Sequence, residues 1–247
     1  MIANFIRGIK YFLSGFESIQ QPGIRRYAAL PILINILLFG LGIYVLGDQF
    51  SNLMKSYLPD SEGYWIILVY ILWIIFGLLI LTIVFFTFTL LANLIGSPFN
   101  GPLAAAVERQ LDKHIVQDND GSIVGEIAMA ISGELRKWLY YLFWGIPLVI
   151  FTLISIPITI LAPIASFLWL VFGAWILAIE YMDYPMGNHN YSFTAIKATL
   201  KQHRMLALGF GAAVMCFTLI PVINLVVMPA AVAGASKLWV REIKSSN

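Results

Sequence analysis

Four stretches of the chain contain no Asp, Glu, Lys, Arg or His: Tyr27–Gly47, Gly63–Asn93, Trp138–Ile179 and Met205–Ser236. Runs of this kind are not the faces of soluble helices, which return to polar residues every turn. They suit the hydrocarbon of a bilayer, where about 20 helical residues cross a core roughly 30 Å thick. Composition agrees: 60% of the residues are apolar and 11% charged, against about 25% charged in a soluble domain. The expected fold class is an all-α integral membrane protein, a single membrane domain over residues 1–247.

The blocks differ in length, and the difference sets the topology. The first and second each fit one crossing, giving transmembrane helices over 24–47 and 63–95, the second with a tilted or protruding end. The third and fourth exceed one crossing, and proline interrupts each near its middle, at Pro157 and Pro163 and then at Pro221. Proline removes a backbone donor and clashes with the preceding turn. These blocks therefore read as two helical hairpins, over 138–180 and 205–240. Half of either block is just long enough to span, so length alone leaves full crossing and re-entry open. The turns Ser155–Pro163 and Leu219–Asn224 carry no charge, which favours tips that stay within the membrane. Such tips need cover from protein or a watery cavity.

Residues 1–21 place Phe5, Ile9, Phe12 or Leu13, and Phe16 on one helical stripe, with Arg7, Lys10 and Glu17 elsewhere, the pattern of an interfacial amphipathic helix. Residues 96–137 form the main extramembrane segment, polar from Glu108 onward, with Asp118-Asn119-Asp120-Gly121 as a turn between short helices. Only Lys55 lies between Asp48 and Glu62, and the other fourteen of the fifteen Lys and Arg flank the opposite block ends. The positive-inside rule then puts both termini in the cytoplasm, whichever way the hairpins insert.

Several function classes find no support. The net charge of +2 is too small and scattered for nucleic-acid binding through phosphates. A phosphate-binding loop, HExxH, a GxSxG elbow and a GxGxxG turn are all missing. His114, His189 and His203 lack metal-ligand spacing, and Cys216 stands alone as an apolar filler, so no metal, cofactor or disulfide is expected. The amino terminus lacks the compact apolar run and small-residue site of a cleaved signal. Glu180-Tyr181-Met182-Asp183 brings two acids to the end of a block, but the GxGD partner of an intramembrane aspartyl protease is missing. Surface pairing with nearby bases explains these acids better.

Two segments remain with chemistry to offer. In Gln20-Gln21-Pro22-Gly23-Ile24-Arg25-Arg26, a helix start supplies backbone N–H groups and a positive dipole end, Gly23 permits close approach, and two planar guanidinium groups suit tetrahedral oxyanions. The same arginines also serve as interfacial anchors, and these residues alone leave both readings open. In Asn93-Leu94-Ile95-Gly96-Ser97-Pro98-Phe99-Asn100, neutral donors cluster where the second span ends, as a polar path or as a capped connection. A charge inside a span costs about 2.5–3.5 kcal/mol and marks relays, and none is present. An anion would instead meet Asn35, Asn93, Ser97, Asn100 and Asn224 and the ends of broken helices, a channel-like path.

The chain resembles the CysZ family of bacterial sulfate permeases over nearly its whole length. The likeness rests on Pro22-Gly23-Ile24-Arg25-Arg26, on Asn93 through Asn100, on Tyr181-Met182-Asp183-Tyr184-Pro185-Met186 and on Ile220-Pro221-Val222-Ile223-Asn224-Leu225. It implies two long transmembrane helices, two partly penetrating hairpins, an inner-membrane location, homo-oligomers, and sulfate import for cysteine synthesis. It also implies a sulfate site at Gly23, Ile24, Arg25 and Arg26, where isoleucine replaces the family's usual leucine. The competing expectation is a non-transporting scaffold or regulator that holds anions or membrane lipid headgroups through the same arginines.

Overall fold

The structure, a computed structural model, describes residues 1–57, 65–113 and 123–244. It is helical throughout, with no strand among the described residues. The helices are α1 (Ile2–Ser18), α2 (Arg25–Tyr57), α3 (Trp65–Leu111), α4 (Ile123–Ser155), α5 (Ala162–Gly187), α6 (Phe193–Gln202), α7 (Arg204–Thr218) and α8 (Pro221–Leu238). A single 3₁₀ turn, Thr159–Leu161, joins α4 to α5, and a π turn, Trp239–Ile243, extends α8. The chain is an all-α membrane protein, as the apolar blocks predict.

The prolines act where the sequence reading expects. Pro157 lies in the turn after α4, Pro163 sits in the first turn of α5, and Pro221 opens α8, a position where a missing N–H costs nothing. Pro147, Pro185 and Pro229 are accommodated inside helices. Apolar side chains project from both hairpin tips: Ile156 is 71%, Ile160 81% and Leu219 79% exposed. The turn Asp118–Gly121 lies outside the described residues.

Three described stretches are long and apolar enough to cross a membrane: Ser132–Ser155, Thr159–Gly187 and Ile223–Ile243. Only 6% and 11% of the first two is buried by protein, against 61% of the third. The arms of the first hairpin thus turn their apolar surface outward, whereas α8 belongs to the core. Those arms hold each other through the indole N–H groups of Trp169, donating to the Thr152 hydroxyl (2.9 Å), and of Trp175, donating to the Tyr140 hydroxyl (3.0 Å). At their base, buried Lys137 meets Glu134 (2.6 Å), Asp183 (2.8 Å) and Glu180 (3.5 Å). This is the base that the two acids call for.

The chain divides into two compact units, Met1–Ala28 with Phe99–Asn247, and Ala29–Pro98. The second holds most of α2 and of α3, with outward apolar residues such as Leu37, Leu41, Ile67 and Ile74. In the first, α1 packs between α7 and α8. Phe12 is fully buried and meets Phe16, Phe210 and Phe217 edge-on at 5.2 to 6.1 Å. The backbones approach until side chains no longer fit: a Cβ on Gly15 would stand 1.9 Å from the Ala230 carbonyl oxygen, and one on Gly209 1.9 Å from that of Phe5. Small residues permit such approach where lipid gives helices no hydrophobic drive to associate. The Phe12 side of α1 therefore meets protein, and Ile2, Ile6 and Leu13 face outward. Cys216 is exposed on α7 rather than filling the core.

Candidate oxyanion site

The site forms where the α1–α2 turn meets the last turn of α3, all within the first unit. The carbonyl of Gln21 accepts from the N–H groups of Ile24 (3.1 Å) and Arg25 (3.0 Å), which folds the chain tightly into α2. Gly23 sits at φ +90°, a left-handed conformation that a side chain would strain, and nothing lies within 4 Å of where its Cβ would be. Ile24 is 2% exposed and anchors the turn in the protein. Ile24 is therefore an apolar plug, a role that a leucine could also fill.

On the α3 side, two contacts fix the helix end. The Asn188 amide donates to the Gly101 carbonyl at 3.1 Å, and His189 Nε2 stands 2.5 Å from Glu108 Oε2. Both partners come from the elbow between α5 and α6. The next residues, Arg109 and Gln110, then face the turn. The Arg109 Nε–H donates to the Ala105 carbonyl at 3.1 Å, which holds the guanidinium against its own helix.

The result is a cavity of about 370 Å³ lined by Gly23, Ile24, Arg26, Tyr27, Arg109 and Gln110, with Pro22 and Ala106 closing its wall. Arg26 donates to the Tyr27 hydroxyl at 3.1 Å, and its guanidinium carbon stands 4.8 Å from that ring's centroid. Stacking on a ring orients a guanidinium while leaving its in-plane donors to face outward. Two guanidinium groups, a phenol hydroxyl and a primary amide converge, and among the described residues no carboxylate lines the cavity. Such a set of donors attracts a small oxyanion and repels no part of it.

The expected site residues are not all brought together. Arg26, Gly23 and Ile24 line the cavity, whereas Arg25 opens α2 as an exposed residue outside the lining. The N–H groups of Arg25, Tyr27 and Ala28 already bond to Gln21 and Ile24 carbonyls, so side chains carry more of the attraction than the helix start. Arg109 is the partner that the sequence reading misses. Its only signal is an arginine nine residues beyond Asn100, on a helix assumed to have ended.

The neutral path residues are more dispersed. Asn100 is fully buried, and neither amide atom of its side chain has a hydrogen-bond partner among the described residues. Asn224 is half-buried in the first turn of α8, its N–H donating to the Ile220 carbonyl at 2.8 Å. Asn35, Asn93 and Ser97 lie on α2 and α3, and their side chains lie outside the described residues, as does His114. The segment Asn93–Asn100 is helical throughout, so α3 continues through Gly96 and Pro98 to Leu111. Among the described residues no group of His, Cys, Asp and Glu could hold a metal ion.

Glu108, beyond the stretch read as the second span, is a buried acid beside this site. Burial pushes its carboxyl above the ordinary carboxylate range, and the contact with His189 only partly opposes that.

A family model described as Sulfate transporter CysZ/Etoposide-induced protein 2.4 matches residues 11–229. Proteins named sulfate transporter CysZ are similar along the full length. One from Pseudomonas fluorescens is 39% identical over 254 residues, covering 100% of this chain and 98% of its own. One from Vibrio cholerae is 39% identical over 241 residues, covering 97% and 95%. One from Pseudomonas aeruginosa is 38% identical over 244 residues, covering 96% of each. These relatives are named as transporters, not as enzymes. The resemblance read from the four sequence segments holds along the whole chain, which belongs to the sulfate transporter CysZ/etoposide-induced protein 2.4 family.

Proposed function

We propose that the protein is a sulfate permease that imports inorganic sulfate across the bacterial inner membrane for assimilation into cysteine. The observation that carries the reading is the carboxylate-free cavity of Arg26, Tyr27, Arg109 and Gln110, in a chain whose relatives are named sulfate transporters. Gly23 admits the ion close to the backbone, Ile24 holds the turn in place, and Arg25 adds positive field at the rim.

With both termini cytoplasmic, by the distribution of Lys and Arg, this site stands at the cytoplasmic mouth of the path. An inside-negative potential opposes entry of an anion by about 2.3 kcal/mol per charge per 100 mV, and so by roughly twice that for a dianion. Two guanidinium groups at the inner mouth offset part of that cost where it is greatest. Consumption of sulfate inside the cell supplies the remaining downhill pull. Between the two faces the ion passes neutral donors, Asn35, Asn93, Ser97, Asn100 and Asn224, in a channel-like path. Copies of the chain assemble as a homo-oligomer, with neighbours and membrane lipids covering the outward apolar arms of the first hairpin.

The test is uptake of radiolabelled sulfate by liposomes that contain only this protein, with and without a pH gradient. Flux above protein-free liposomes is expected. Sulfate binding without flux would overturn the permease reading in favour of a non-transporting scaffold or regulator.

A further inference from the structure

A second basic pocket, of about 430 Å³, lies between α1 and α8 and shares no residue with the cavity of Arg26 and Arg109. Arg7 and Lys10 enter it from α1, and Lys237 and Arg241 from α8 and its π extension. Positions 7, 10 and 14 on α1 share one face, and Lys237 with Arg241 of the π turn face them, which brings all four cations to one place.

Two acids stand beside this set. Glu17 lines the pocket, and Glu242 pairs with Arg7 and accepts from the Tyr11 hydroxyl at 2.7 Å. Among the described residues, four cations thus meet two carboxylates. Lys237 donates to the Ser14 carbonyl at 3.0 Å, which spends one of its three donors and fixes its head at the pocket wall. Burial and the Glu242 carboxylate push the Tyr11 hydroxyl up to about 12, so it stays a donor at any physiological pH.

What lies beside the pocket identifies the ligand. On the neighbouring face of α1, Ile2, Ile6 and Leu13 are 75%, 46% and 41% exposed and fall on one stripe at i, i+4 and i+11. An outward apolar stripe flanking a basic pocket on one helix is the pattern of a segment at the acyl–headgroup boundary, with cations at the level of lipid phosphates. A soluble anion would need the pocket but not the stripe.

We propose that this pocket binds the phosphate of an anionic phospholipid headgroup through Lys10, Lys237 and Arg241, with Ile2, Ile6 and Leu13 against the acyl chains. The occupied pocket joins α1 to α8 from outside, at a point where Arg7 and Glu242 already join them directly.

The experiment uses the full chain, purified in neutral detergent and titrated with short-chain phosphatidylglycerol, short-chain phosphatidylcholine, inorganic phosphate or sulfate. Binding is followed by native mass spectrometry and by melting temperature. Phosphatidylglycerol is expected to bind and raise the melting temperature, phosphatidylcholine to do so far less, and the inorganic anions, titrated into Arg26→Gln so that the sulfate site does not respond, to leave it nearly unchanged. A basic residue near anionic lipid contributes about 1 kcal/mol, so Lys10→Gln with Arg241→Gln should bind phosphatidylglycerol roughly thirtyfold more weakly. Exposed Lys10→Glu alone gives the same direction if the double variant does not fold. Arg26→Gln should leave lipid binding unchanged, which separates this pocket from the sulfate site. Undiminished phosphatidylglycerol binding in Lys10→Glu would overturn the proposal. So would equal stabilisation by phosphatidylcholine, which would mark apolar binding alone, or by inorganic phosphate in the Arg26→Gln chain, which would mark a soluble-anion site in this pocket.

Discussion

His189 Nε2 stands 2.5 Å from a carboxylate oxygen of Glu108 whose side chain is 1% exposed, and the two residues are 81 positions apart in sequence. The pair ties the end of α3 to the α5–α6 elbow and so aims Arg109 and Gln110 at the α1–α2 turn. Because burial raises Glu108 above its unfolded value near 4.3, the folded state holds this proton more tightly than the unfolded state. The sign follows from linkage: stability is greatest below the unfolded value and is lost as pH rises from there through the raised folded value. Melting temperature in detergent should therefore fall as pH rises above about 4.3. In Glu108→Gln, which still offers His189 a donor, that dependence should flatten. An unchanged slope in the variant would show that the pair does not hold the proton.

Arg26 and Arg109 should matter to sulfate in a way that Arg25 does not. A hydrogen bond to a charged group contributes about 1.5–3 kcal/mol, so Arg26→Gln or Arg109→Gln should raise the sulfate concentration for half-maximal flux by roughly tenfold or more. Arg25→Gln, outside the cavity lining, should change it less than threefold, an effect of weak surface field. Isotopic flux over a sulfate titration measures all three. Equal losses in Arg25→Gln and Arg109→Gln would move the site to the surface of the turn.

Lys137 pairs with three acids at the base of the first hairpin while only 4% of its own side chain is exposed. In Lys137→Met the cation is gone and Glu134, Glu180 and Asp183 are left to repel one another, at a cost of about 2–3 kcal/mol given their partial exposure. Glu180→Gln together with Asp183→Asn in that background should restore part of the melting temperature. A double-mutant cycle reads the coupling.

Two glycines should respond to alanine in opposite directions. At Gly15 the new methyl would sit 1.9 Å from the Ala230 carbonyl oxygen, forcing α1 off α8 at a cost of about 3 kcal/mol or more. At Gly133, within α4, nothing stands within 4 Å, and the better helix propensity of alanine should add up to about 1 kcal/mol. Thermal unfolding of the two variants beside the parent chain tests the contrast.

Much of this fold was legible because lipid enforces simple rules. Charge-free length and proline place the helical arms and their turns, and the hairpin tips at Ile156–Ile160 and Leu219 are as apolar outside as their sequence reads. The role of α1 was harder to read. Phe5, Ile9, Phe12 and Phe16 form an apolar stripe whether it meets lipid or protein, and only the small residues at Gly8, Gly15, Gly209 and Gly234 hint at helix packing. Half of the candidate site was legible as well, since Gly23 and Arg26 stand in one short segment. Arg109 was not, because Gly96 and Pro98 look like a helix end while tertiary packing carries α3 past them to Leu111. A residue contributed by a distant helix leaves no mark in local spacing.

The seating of α1 between α7 and α8 also bears on how the protein is made. Its first helix leaves the ribosome nearly two hundred residues before the helices that complete it, which at about 5–20 residues per second is a wait of roughly 10–40 s. During that interval Phe12 and its stripe have no protein partner, and the membrane surface is the one apolar phase within reach. The amphipathic pattern of α1 thus serves twice, first as a temporary float on the bilayer and then as a wedge that closes the last hairpin. Assembly of the first unit cannot finish before synthesis does, because loops of that length must close before the contacts that reward them can form.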